Sequence, residues 1–126
     1  MTCMIQKREN KMIDKETLLG YTASMAANEP ADRDDVDHAT NVRLYNLWMA
    51  QNRRAFSHMA DRDITPTYWK DLVEEQIELL EVRNGADLDL MYGWPNTEEN
   101  RAKFIESREQ AVDYLATRVI ETSKEY

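Results

Sequence analysis

The stretch TPTYWKDLVEEQIELLEVRNG, residues 65–85, carries the signals for both ends of a helix. Thr65 has the hydroxyl of an N-cap, able to accept from a free amide of the first turn. Pro66 follows at the first helical position, where a missing N–H costs nothing. Ile64 and Trp69 flank the cap at the spacing of a hydrophobic staple. Asn84-Gly85 supplies the stop, with Gly85 free to take the left-handed conformation that ends a helix. Between these ends Trp69, Leu72, Val73, Ile77 and Leu80 recur at helical spacing, and Leu79 widens the stripe. Glu74, Glu78 and Glu81 form a second stripe with Glu75 beside it. At about 100° per residue their mean direction lies nearly opposite the apolar stripe, so in a single bundle these acids face solvent.

The charge of the whole chain gathers here. The 126 residues carry a formal charge of −8. Residues 63–99 hold ten acids against Lys70 and Arg83, while the segments on either side are balanced. Free nucleic acid is therefore not an expected ligand, because neutralising phosphates needs clustered Lys and Arg. Cys3 is the only cysteine, so no internal disulfide forms, which fits a reducing compartment. No apolar run approaches the roughly 20 residues that span a bilayer. MTCMIQKREN also lacks the apolar centre of a signal peptide, so a cytoplasmic protein is expected. Three Gly, three Pro and few aromatic residues, beside many Glu, Leu, Ala and Met, point to an all-α chain.

Residues 1–13 read as an N-terminal arm. Thr2–Gln6 suits a short strand that lacks a partner, and a mobile arm or one docked on a second subunit fits equally. Asp14 is the next cap, with Ile13 and Leu18 at staple spacing. A short helix over about 15–27 follows, with Leu18, Tyr21, Thr22 and Met25 on one face, and Asn28-Glu29-Pro30 ends it. The aspartates of PADRDDVD, residues 30–37, sit where the next helix begins and complement its dipole. A calcium loop would need a turn glycine that this stretch lacks.

A long helix is expected over about 35–61. Its apolar stripe is broad: Leu44, Tyr45, Trp48, Met49, Ala55, Phe56 and Met59. Asn41 and Asn52 fall inside that stripe, and Asn52 is expected to make a hydrogen bond in the core or at an interface. After Gly85, ADLDLMYGWP reads as a single helical turn closed by Gly93. Asn96 and Glu99 then make a capping-box pattern for a last helix over about 97–123. Phe104, Ile105, Ala111, Val112, Leu115 and Val119 form its stripe. Arg108 sits within the stripe and Arg101 extends it. Such a charge must be paired or must reach solvent along its stem, so a salt bridge from Arg108 to an acid of another helix is expected.

These elements make a small all-α helical bundle of three long helices plus one short N-terminal helix, a single domain over residues 14–126 preceded by the arm. The stripe of the second helix is too long for its shorter partners to cover. Exposed apolar area of that kind marks an oligomer interface, most simply that of a two-fold homodimer.

Little in the chain points to catalysis. There is no Gly-x-Ser-x-Gly and no phosphate-binding glycine loop. His38 and His58 are 20 residues apart with no metal-ligand spacing around them, so neither a metal nor a cofactor is expected. One pattern offers an enzymatic alternative. Glu75-x-x-Glu78 and Glu78-x-x-Glu81, with Glu109 and Asp113 on a later helix, resembles the signature of all-α nucleoside-triphosphate pyrophosphatases of the MazG type. The likeness covers barely ten residues, and Glu109 and Asp113 are spaced by four where that family has three. It implies Mg²⁺ held by these carboxylates and cleavage of a nucleotide triphosphate. Another alternative is a small-ligand binder, with Tyr68, Trp69, Tyr92 and Trp94 beside Arg101 and Arg108 as anion contacts.

The reading that uses the charge distribution is a non-enzymatic binding protein. Glu74, Glu75, Glu78, Glu81, Asp87 and Asp89, with Trp94 and Arg108, form the expected partner-binding set. The partner is a protein with a basic surface, met as an inhibitor or nucleic-acid mimic would meet it.

Overall fold

The structure, a computed structural model, describes residues 13–59 and 66–125. It is all-α, with no strand among the described residues. Five helices follow in order among the described residues: α1 (Lys15–Ala27), α2 (His38–Met59), α3 (Tyr68–Arg83), α4 (Leu88–Tyr92) and α5 (Glu98–Glu125). The expected three long helices and one short one become five because the turn after Gly85 is a helix in its own right. The arm at 1–12 and the capping residues Ile64 and Thr65 lie outside the described residues.

Local signals set most helix ends. Asp14 caps α1 by accepting from the Thr17 amide at 2.7 Å. Asp37 does the same for α2 through Thr40 at 2.8 Å. At the end of α3 the amide of Ala86 reaches the Glu81 carbonyl and that of Gly85 reaches Val82, with Gly85 at φ 99°. This pair of bonds is the Schellman stop, and only glycine takes that φ without strain. Asp87 caps α4, and Gly93 at φ 74° closes it.

Two starts differ from expectation. α3 begins at Tyr68, after a tight turn in which Trp69 and Lys70 donate to the carbonyls of Pro66 and Thr67. The last helix is capped by Thr97, whose hydroxyl accepts from the Asn100 amide at 3.1 Å. Asn96 is unavailable for that role, because its side chain accepts from Arg101 at 3.2 Å. Glu99 pairs with Lys103 one turn on instead of closing a capping box.

α3 is the central element. It packs along α5 and against α1, and α1 also touches α5. Leu18, Phe56, Leu72, Val73, Val82 and Leu88 are fully buried, each contributing about 1.5–3 kcal/mol of transfer free energy. A polar contact sits inside the α1–α3 interface: Gln76 donates to the Thr22 hydroxyl at 3.1 Å, and Thr22 donates to the Leu19 carbonyl. α2 is attached differently. It contributes only Trp48, Asn52 and Phe56 to the buried set. The Trp48 indole N–H donates to the Met25 carbonyl at 3.2 Å, and Phe56 meets Trp69 at 5.5 Å between ring centres. Val42, Tyr45 and Leu47 remain exposed. Of the expected stripe, Tyr45 is exposed while Trp48 and Phe56 are buried, and Val42 and Leu47 lie off that stripe.

Asn52 is buried at 5% exposure, and its amide nitrogen has no acceptor among the described residues, where a core or interface bond is expected. Among the described residues no helix is long and apolar enough to cross a membrane.

Candidate binding surface

Seven of the eight residues picked from the sequence fall into two groups, and Asp89 stands apart. Glu75, Glu78 and Arg108 come together between α3 and α5. The Arg108 Nε lies 2.7 Å from a Glu78 carboxylate oxygen and 3.2 Å from one of Glu75. The guanidinium carbon stands 4.6 Å from the centre of the Phe104 ring, over which it packs, and 6.0 Å from that of Tyr92. The other Glu78 oxygen accepts from the Tyr92 hydroxyl at 2.7 Å. Trp94 stands edge-on to Phe104 at 6.1 Å and remains 42% exposed. Asp87 is spent on capping α4. These residues build a knot tying α3, α4 and α5 together.

Burial and electrostatics act on this knot in opposite senses. Removal from water pushes the Glu75 carboxyl above its ordinary value, Arg108 pulls it back, and Glu78 pushes it up again. The Tyr92 phenol is pushed up to about 12, first by burial and then by its bond to the Glu78 carboxylate. An ion pair at a face one quarter exposed is stronger than one in open solvent. It therefore ties α3 to α5.

The stripe geometry had all four glutamates of α3 facing solvent. Their mean direction describes Glu74 and Glu81, which are exposed. It does not describe Glu75 and Glu78, which flank the α5 side. The remaining carboxylates of the enzymatic pattern are also engaged by cations: Glu109 with Arg83, and Asp113 with Lys15. No group of three or more His, Cys, Asp or Glu among the described residues is placed to hold a metal.

The two arginines offered as anion contacts are committed as well. Arg101 donates to the carbonyls of Val82 and Ala86, the latter at 2.6 Å, at the C-terminal end of α3. There a cation complements both the free carbonyls and the helix dipole.

The free acids lie on the other flank of α3. Glu74 and Glu81 are exposed and form no ion pair among the described residues. Burial, then Glu81, then Glu74 push the carboxyl of Glu29 up. Burial, Glu29 and Glu74 do the same to the Tyr45 phenol. Glu29, Asp32, His38, Val42 and Tyr45 line a groove of about 400 Å³ beside them. Asp89 is exposed on α4, apart from this face. Glu29 and Tyr45 escape a sequence reading because only the docking of α1 and α2 beside α3 brings them to Glu74. The one local hint is that Glu29 sits immediately before Pro30, where α1 has to stop.

Compared with protein-family models, curated proteins and solved structures, the chain matches none.

Proposed function

We propose that this chain is a small, acidic, non-enzymatic binding protein of the cytoplasm, folded as a helical bundle. It meets a protein with a basic surface, as an inhibitor or nucleic-acid mimic does, and it works as a homodimer. The observation that carries this reading is the contrast between the two flanks of α3. On the α5 flank every carboxylate named above has a cation. On the α2 flank Glu74 and Glu81 have none among the described residues, and they repel Glu29. Like charges held together without a counter-charge destabilise the free chain and attract a cationic partner. Val42 and Tyr45, exposed alongside, supply the apolar area that such an interface needs. The pyrophosphatase alternative draws no support from the site, since Glu75, Glu78, Glu109 and Asp113 are each held by Arg or Lys.

The test is capture of partners from extract by the wild type and by Glu74→Lys/Glu81→Lys, a variant that leaves the Arg108 knot intact. Capture that is lost both in the variant and at high salt supports the reading. Equal capture by both proteins sinks it.

A further inference from the structure

The molecule carries a basic groove that mirrors its acidic one. Between the C-terminal half of α2 and the start of α3 lies an open groove of about 650 Å³, lined by Arg53, Arg54 and Lys70 with Met49, Thr67 and Trp69. None of the three cations forms an ion pair among the described residues. In a chain of charge −8 this is a place where positive charge collects without an ion-pair partner among the described residues.

The two grooves lie at opposite ends of α2. α2 and α3 run antiparallel: Phe56 lies on Trp69, while Tyr45 sits in the field of Glu74. Lys70, Glu74 and Glu81 follow one another along a single line of α3, because steps of four and seven residues return to the same face. Lys70 and Glu81 are therefore separated by about 16 Å at 1.5 Å per residue. The charge along α2 and the facing line of α3 runs from positive, at the end of α2, to negative, at its beginning. Tyr45 and Met49, one turn apart, join the two ends as an apolar ridge.

We infer that the basic surface met by Glu29, Glu74 and Glu81 is the Arg53–Arg54–Lys70 groove of a second copy of this chain. The inference rests on the reading above and names its partner. A two-fold axis near Tyr45 and Met49 sets α2 antiparallel to α2 of the second copy. Each acidic end then faces a basic end, twice over. This is the self-complementarity that a two-fold interface requires. It also covers Tyr45, which α2 leaves exposed.

A charge swap tests it by sedimentation velocity at low ionic strength, with helicity followed by circular dichroism. Variant one is Glu74→Lys/Glu81→Lys, and variant two is Arg53→Glu/Arg54→Glu. The wild type is expected to be a dimer that dissociates as salt is raised. Each variant alone places like charges face to face and is expected to be a monomer. Their equimolar mixture restores opposite charges at both contacts and is expected to dimerise. If either double variant loses helicity, Glu74→Lys and Arg53→Glu replace the pair. A monomeric wild type overturns the inference, yet leaves a foreign basic partner to be judged by the capture experiment. Dimeric variants, or a mixture of folded variants that stays monomeric, overturn it too.

Discussion

Arg108 and Glu78 stand 2.7 Å apart across the α3–α5 interface, with the guanidinium stacked over Phe104. The pair is one quarter to one third exposed, so its partners are screened less than surface ions but still touch water. Removing the cation leaves Glu75 and Glu78 facing each other without compensation. Arg108→Ala is expected to cost about 2 kcal/mol, read as a fall in the urea midpoint. Adding Glu75→Gln to that variant removes the repulsion and is expected to recover part of the loss. A second substitution that lowers stability further would show that Glu75 is held by something other than Arg108.

Phe104 gathers Val82, Leu88, Tyr92, Trp94 and Arg108 around one ring. It is 2% exposed. Phe104→Ala opens a cavity under the α4 connector and is expected to cost about 3–5 kcal/mol. Trp94 loses its edge contact, so its fluorescence is expected to shift to longer wavelength before global unfolding begins. Unchanged emission together with a loss below about 1 kcal/mol would place the connector's anchor elsewhere.

The caps show what could be read from sequence and what could not. Asp14, Gly85 and Gly93 act within three or four residues of themselves, and all three do what their positions imply. Thr97 displaces Asn96 because Arg101, held by the carbonyls at the far end of α3, recruits the Asn96 side chain. That competition is tertiary, and no local pattern contains it. The candidate site divides in the same way. The acidity of α3 is plain in the sequence. Which glutamates are spent on Arg108 and which face outward depends on where α5 and α1 dock. Averaging the directions of four acids merges two flanks with different roles.

Stability should depend on pH in two opposed ways. Glu29 and Glu75 have carboxyls raised above the ordinary 4.5. The folded state therefore takes up their protons at higher pH than the unfolded chain does. Their contribution is fully favourable below 4.5 and is lost as pH rises through the folded values. Asp14, Asp35 and Asp37 are lowered below 3.8 by their hydrogen bonds, and their contribution is lost as pH falls through those lower values. The urea midpoint is expected to rise on mild acidification from neutrality toward 4.5 and to drop below 3.8. Glu29→Gln should flatten the upper limb. A midpoint that only falls from neutrality downward would contradict the crowding of Glu29 by Glu74 and Glu81.

Tyr92 gives a direct spectroscopic check on the knot. Of the six tyrosines, this phenol is pushed up to about 12. An ultraviolet titration should show a late phenol that is absent in Tyr92→Phe. Glu78→Gln removes the carboxylate that holds the phenolic proton, so the late titration should move to lower pH. No late phenol in the wild type would mean that the Tyr92–Glu78 bond is not formed in solution.

Asn52 sits between Trp48 and Phe56 on the buried stripe of α2, and its amide nitrogen has no acceptor among the described residues. A polar group removed from water without a hydrogen bond costs about 1–3 kcal/mol. Leucine fills a similar volume, has higher helix propensity and carries no such penalty. Asn52→Leu is therefore expected to stabilise the fold by about 1 kcal/mol or more, seen as a rise in Tm. Asn52→Ala should fall short of that gain, because it trades the unmet amide for a cavity. If Asn52→Leu lowers Tm, the amide has an acceptor in solution, and the buried asparagine specifies how α2 lies on the core rather than weakening it.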